Sequence, residues 1–390
     1  VVGPASNLVE RIAPFRTLDS IQTSWLERMV TTVAPLIERM TLTLHDHFAT
    51  AYSPGDYIDA SELIAQNKLL RQHALGNWKD LLHALLEDVA MGMWLDADRN
   101  IVGAPNENLA RELMELFTLG VDGGYTETTV REAARALTGY FLDNNLDPLG
   151  PRFKMSFDPA RHDDGVKEIF NATGKLMPHD VVDILLAQPA ASRHLARRLI
   201  TTFVTPTPTT GFVEQIAGVL RNPSNSWELK PAMSAIFHSD AFTIENRNTL
   251  VRPPAEFIAA AWRALGVTDY STGNYWMRRA GQGLYDPPNV GGWIPNEGWL
   301  SAGLVLARYN AGVQLGSLSQ NQLRVPGTLV AHGTSAKQWG EIFGMTDLAP
   351  ATASAIDSYI ASSNAAGTAD AQIDLGAITL IVASPDFSLA

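Results

Sequence analysis

The chain has 390 residues, 46% of them hydrophobic, a formal charge of −12 and no cysteine. Without cysteine there is no thiol nucleophile, thiolate metal site, iron–sulfur cluster or disulfide. The acidic balance speaks against a phosphate-backbone binder, because the one basic cluster, RHLARRL at 193–199, alternates with Leu and Ala as an exposed helix edge does. No nucleic-acid partner is expected.

The length suffices for one large core or two domains. No apolar run reaches the roughly 18 residues of a membrane span, so no transmembrane segment is expected. The opening VVGPASNLVE lacks a leader's basic start and apolar core, and is the kind of end that processing leaves.

In chain order the periodic segments read as helices. APLIERMTLTLHDHF puts Ile37, Met40, Leu44 and Phe48 on one stripe, with Pro35 in the first turn. WKDLLHALLEDVAMGMWL (78–95) reads as one long apolar helix. The block NENLARELMELFTLG (106–120) buries Leu109, Leu113, Leu116 and Phe117. TETTVREAARALTG (126–139) has Thr126 as its N-cap and Gly139 as its stop. VVDILLAQPA, RHLARRLITTFV, TGFVEQIAGVLR and PAEFIAAAWRALG continue the pattern, and strand-like alternation is nearly absent. The fold class expected is mostly α, a multi-helix array of one domain or two lobes, 1–150 and 151–390. Pro- and Gly-rich connections at 141–160, 204–211, 286–298 and 324–335 separate the helices, the first marking the lobe boundary. LKPAMSAIFHSDAF (229–242) and LGAITLIVASPDF (375–387) echo each other, each a helix closed by Ser, an acidic turn and Phe.

Five stretches carry candidate chemistry. On the 106–119 helix, Asn108, Glu112 and Glu115 share a strip at the margin of the buried face. Carboxylates there are partly desolvated, which raises their pKa and suits acid–base work; the alternative is pairing with Arg111, Arg131 or Arg135. Just upstream, Asp96, Asp98, Asn100 and Glu107 hold places one, three, five and twelve of a twelve-residue loop, the spacing of a calcium loop, although Gly103 comes two places late. His45 and His47 in LHDHF point about 160° apart on a straight helix, so one metal cannot be held by both without distortion. RHDDGVKEIF (161–170) sets His162 beside Asp163, a tuned base or a helix cap. GQGLYDPPNVGGWIPNEGWLS (281–301) offers Tyr285, Trp293 and Trp299 as stacking platforms or as interior plugs.

Together HDHFAT, NENLARELMELFTLG, GGYTE, REAARALTGY, RHDDGVK, PPNVGGW and ASPDF resemble a bacterial family known only as a domain of unknown function. The resemblance runs from about residue 36 to the end. Members are commonly exported, so it implies a periplasmic or extracellular location. It singles out His45, His47, Asn106, Glu107, Asn108, Arg111, Glu112, Glu115, His162, Asp163, Lys167 and Trp293. The chain departs from the family pattern with Leu44 in place of Trp and Asp46 in place of Asn.

The leading expectation is an exported hydrolase acting on a carbohydrate polymer. Two carboxylates would divide the acid and base or nucleophile roles. Glu112 or Glu115 would be the acid, Asp163 the partner carboxylate, His162 the orienting group, with Arg111, Lys167, Tyr285, Trp293 and Trp299 binding substrate. One alternative is a metalloenzyme built on His45 or His47, His162 and the acidic helix. The other is a non-catalytic surface or matrix-assembly protein stabilised by calcium.

Overall fold

The computed structural model describes residues 17–56, 58–147, 150–242, 246–317 and 335–389. The opening VVGPASNLVE and the connection expected at 324–335, Ser335 apart, lie outside them. The chain divides into two compact units. One takes Leu36–Asn246 with Tyr285–Trp293 and the described part of Val1–Ile21; the other takes Gln22–Pro35, Arg247–Leu284 and Ile294–Ala390.

The chain enters through α1 (Leu18–Thr31), most of it in the second unit, and α2 (Pro35–His47), most of it in the first. The first unit continues with α3 (Ala60–Gln72), α4 (Trp78–Leu86), α5 (Val89–Trp94), α6 (Asn108–Glu112) and α7 (Glu127–Ala136). Two small antiparallel hairpins follow. In one, β1 (Tyr140–Asn144) pairs with β2 (Phe153–Phe157), Tyr140 opposite Phe157. In the other, β3 (Lys167–Ile169) pairs with β4 (Ala172–Gly174). The helices α8 (Pro178–Leu186), α9 (Pro189–Phe203), α10 (Thr210–Arg221) and α11 (Leu229–Phe237) complete the unit. The boundary expected at 150 falls between the paired strands β1 and β2, inside this unit.

The segment 78–95 is two helices, because Glu87 ends α4 and the Asp88 side chain accepts from Met91 N at 2.8 Å, capping α5. Thr126 caps α7 as its position foretold. The apolar stripes of α4, α8, α9 and α10 meet in one core with Phe48, Leu109, Leu113 and Phe117.

The second unit holds α12 (Pro254–Leu265), α13 (Tyr270–Arg279), α14 (Ala302–Ser317), α15 (Ala336–Ile342), α16 (Pro350–Ala365), α17 (Asp370–Val382) and α18 (Pro385–Ser388). Gly266, left-handed at φ 62°, closes α12. Here the internal echo diverges. Phe387 is fully buried, with ring contacts to Phe257 at 5.0 Å and Phe343 at 5.4 Å, whereas Phe242 in the first unit is 48% exposed. Among the described residues no helix is long and apolar enough to cross a membrane.

The Gly/Pro loop Tyr285–Trp293 is seated in the first unit by Gly292. At φ +80°, a Cβ there would stand 2.3 Å from Asp46 Oδ1 and 2.4 Å from its carbonyl oxygen. Gly292→Ala is therefore expected to destabilise the fold by roughly 2 kcal/mol or more, from backbone strain and overpacking together. A urea unfolding curve with an unchanged midpoint would contradict this seating.

Candidate functional site

The NENLARELMELFTLG block begins as α6 and then widens into a single π-helical stretch, Leu113–Thr118. Leu119 N–H reaches back five residues to Met114 O at 2.8 Å, and the Thr118 hydroxyl donates to Leu113 O. The carbonyls of Leu116 and Phe117 take donors from outside the helix. Those donors are two imidazoles: His194 Nε2 lies 2.9 Å from Leu116 O and His47 Nε2 3.0 Å from Phe117 O. Since a carbonyl only accepts, both rings carry their proton on Nε2. Burial pushes the pKa of each down, and nearby Arg198 pushes the same way, which favours the neutral ring in both. Their rings stand 5.9 Å apart.

The rest of the His-Asp-His motif faces other partners. His45 is buried and its Nε2 accepts from Tyr285 N at 3.2 Å; burial lowers its pKa to about 3. Asp46 pairs with Arg198 and accepts from Trp293 N at 2.8 Å. His45 and His47 thus turn to different neighbours, as a straight helix dictates. Among the described residues no three His, Asp or Glu side chains form a group able to hold a metal ion.

Glu112 and Glu115 of this segment are half-buried. Among the described residues neither makes a hydrogen bond or an ion pair. Burial first, and the charge of Glu115 second, push the Glu112 carboxyl up from its ordinary range. Tyr125 shares this field: burial and then Glu115 raise its hydroxyl pKa. Asn108, expected on the same strip, donates instead to Asp96 at 2.9 Å.

The other expected residues are engaged in internal contacts. Arg111 grips Glu127 through two bonds of 3.0 and 2.8 Å and Glu107 through one of 2.9 Å, locking α6 to α7. Asp163 is held by the Arg135 guanidinium at 2.7 and 3.2 Å, and that bonding keeps its carboxyl below the usual range. It also accepts from Gly165 N at 2.9 Å, so the segment turns into strand β3 where the sequence suggested a helix start. Lys167 is buried beside it. Its Nζ donates to the carbonyls of Asp163, Gly165 (3.1 Å) and Leu176 (3.1 Å), all three donors used. His162 Nδ1 donates to Thr138 O at 2.9 Å, while its buried Nε2 has no hydrogen-bond partner among the described residues.

In the twelve-residue loop Asp96 pairs with Arg99 at 2.8 Å. Asn100 is buried, donating to Ala134 O and accepting from Asn106 N, both at 2.9 Å, and Glu107 goes to Arg111. Asp98 lies within the field of Arg99 and Asp96, and burial is the first cause that pushes its carboxyl up. The aromatic residues expected as a platform are interior plugs: Tyr285 is 1% exposed and Trp293 5% in the first unit, and Trp299 5% in the second.

Sequence reasoning missed Asp88. Its Oδ1 accepts from Gln66 Nε2 and Met91 N, both at 2.8 Å, and burial raises it to about 6. A buried Asp in a helical stretch gives no signal until the helix break is known.

Two outcomes follow. Lys167→Met leaves three carbonyls without their donor and should cost about 3 kcal/mol or more; an unaltered urea midpoint would contradict the three-carbonyl role. Asp88 is protonated more readily folded than unfolded, so its stabilising contribution is complete below about pH 4 and is lost as pH rises through about 6. Asp88→Asn keeps the accepting Oδ1, so its stability relative to the parent should improve by roughly 1–3 kcal/mol from pH 4 to pH 8. A pH-independent difference would show that Asp88 does not titrate as described.

The chain belongs to the family described as Protein of unknown function (DUF1800), whose model matches residues 10–389. No curated protein and no solved structure matches it.

Proposed function

We propose that the protein is an exported hydrolase acting on a carbohydrate polymer, with Glu112 as the proton donor. The observation that carries this reading is the Glu112–Glu115 pair: half-buried, without hydrogen bond or ion pair among the described residues, with the Glu112 carboxyl raised by burial and by its neighbour. Cleaving a glycosidic bond needs a carboxylic acid still protonated near neutral pH to protonate the leaving oxygen, and a second carboxylate that remains ionised. Glu115, three residues on, is too close on the same helical turn to be that second carboxylate and acts instead by raising Glu112, while Asp163, expected as the partner carboxylate, is committed to Arg135. Tyr125, beside the pair, supplies a ring and a hydroxyl to a sugar face. The acidic surface suits an uncharged polymer better than a polyanion. Export rests on the habits of the family.

A second reading is a non-catalytic surface or matrix-assembly protein. It is favoured by the number of expected site residues, Arg111, Asp163, Lys167, His45 and His47 among them, that are engaged in internal bonds.

Release of reducing ends from a panel of soluble polysaccharides tests the first reading. Glu112→Gln should lower turnover by about 100-fold or more while leaving the melting temperature near that of the parent. The activity of the parent should fall as pH rises through the raised Glu112 pKa. Glu115→Gln removes the like charge, so the alkaline limb of whatever activity remains should move to lower pH. Full turnover by Glu112→Gln would eliminate the proton-donor role, and no turnover by the parent on any polymer would favour the second reading.

A further inference from the structure

In the second unit, α14 is apolar on two sides. One side, with Ala307, Ala311 and Leu315, is buried, and α17 backs it: a Cβ on Gly312 would stand 3.4 Å from Thr379 O and from the Val382 side chain. On the other side Val305, Leu306, Tyr309 and Val313, spaced as one helical face, are 41–57% exposed. A surface helix is ordinarily polar on the side turned to water. This strip carries no charge, since the one charged residue of α14, Arg308, is buried, and its one polar group is the Tyr309 hydroxyl. Leu300, in the turn before α14, is exposed as well and extends the apolar run. Neither α13 nor α14, nor residues 280–284 and 298–301 that flank them, contain Asp or Glu, in a chain of net charge −12. The last turn of α13 exposes Arg278 and Arg279. It ends against the start of α14, where a Cβ on Gly281 would stand 3.1 Å from the Leu304 side chain. The Arg279 guanidinium lies 5.9 Å from the centre of the exposed Tyr275 ring.

We propose that the exposed strip of α14, with the arginines at the end of α13, docks the protein on the surface of a lipid bilayer. The size of the strip speaks against a protein partner. From Val305 to Val313 it is about 12 Å long, too short to bury the roughly 800 Å² per partner of a stable protein–protein interface. Its polarity agrees. Such an interface carries about one hydrogen bond per 100–200 Å², whereas the strip has only the Tyr309 hydroxyl to fix a partner's register. A bilayer requires neither area nor register. It takes aliphatic side chains such as Leu306 and Val305 into the acyl boundary, tyrosine at the level of the headgroups and arginine against phosphate. The lack of Asp and Glu fits the same surface, because a carboxylate there would be repelled by lipid phosphate.

The test is co-sedimentation of the whole chain with vesicles of phosphatidylethanolamine and phosphatidylglycerol, at physiological and at high sodium chloride. The parent should pellet with the vesicles at both, because apolar side chains rather than charge carry the binding. Leu306→Asp should lower the partition coefficient by about ten-fold or more and leave Tm unchanged, its side chain being exposed in the parent. Were that variant not to fold, Tyr309→Ser should weaken partition in the same direction. Val33→Asp, at an exposed apolar residue of the second unit outside α13 and α14, should bind as the parent does. No sedimentation of the parent, equal partition by Leu306→Asp, an equal loss in Val33→Asp, or binding that high salt abolishes would each overturn the proposal. So would a lipid-free dimer in analytical ultracentrifugation that Leu306→Asp splits, since a second copy would then cover the strip.

Discussion

The first unit depends on two backbone carbonyls. Where α6 widens into the π-helical stretch, Leu116 O and Phe117 O look for donors outside the helix, and a buried carbonyl without one is costly. His194 from α9 and His47 from α2 supply them. Each imidazole must keep its proton on Nε2 and stay neutral, which burial and Arg198 both favour. Around this junction the remaining groups lock. Arg198 pairs with Asp46, Asp46 accepts the Trp293 amide, and only glycine fits at 292 between them. Segments far apart in sequence thus meet because each solves a hydrogen-bonding problem posed by another.

This arrangement separates two kinds of charged residue. Arg111, Asp163 and Lys167 are matched with partners, and the Asp163 carboxyl is held down by Arg135. Glu112, in the same anchored segment, is raised by burial and by a like charge. Matched groups tie helices and hairpins together; the Glu112–Glu115 pair makes no such tie among the described residues.

Much of the helical fold was legible in the sequence, because period-3.6 stripes and caps such as Thr126 act locally. The break at Asp88 was hidden, since the apolar pattern runs on through it and only the cap to Met91 reveals it. The small hairpins were hidden too: β1 and β2 are five residues each and β3 and β4 three, too short for alternation to register. The half-buried position of Glu112 and Glu115 followed from helical geometry. What periodicity could not supply was partnership. Whether Asp163 is a free carboxylate depends on Arg135, 28 positions earlier in the chain, and whether Trp293 is a platform or a plug depends on Asp46. The π-helical stretch, and with it the role of His194, has no signature at 100° per residue.

The most direct test of this account is the protonation state of the histidines by nitrogen-detected NMR on the whole chain between pH 5 and 8. His47 and His194 should both be protonated on Nε2 when neutral and titrate below the ordinary histidine range, and His45 should stay neutral throughout with a bare Nε2. A His47 or His194 ring that titrates near 6.5, or that carries its proton on Nδ1 alone, would mean that the imidazoles do not hold the π-helical carbonyls. The face that presents Glu112 and Glu115 would then lack the support described here.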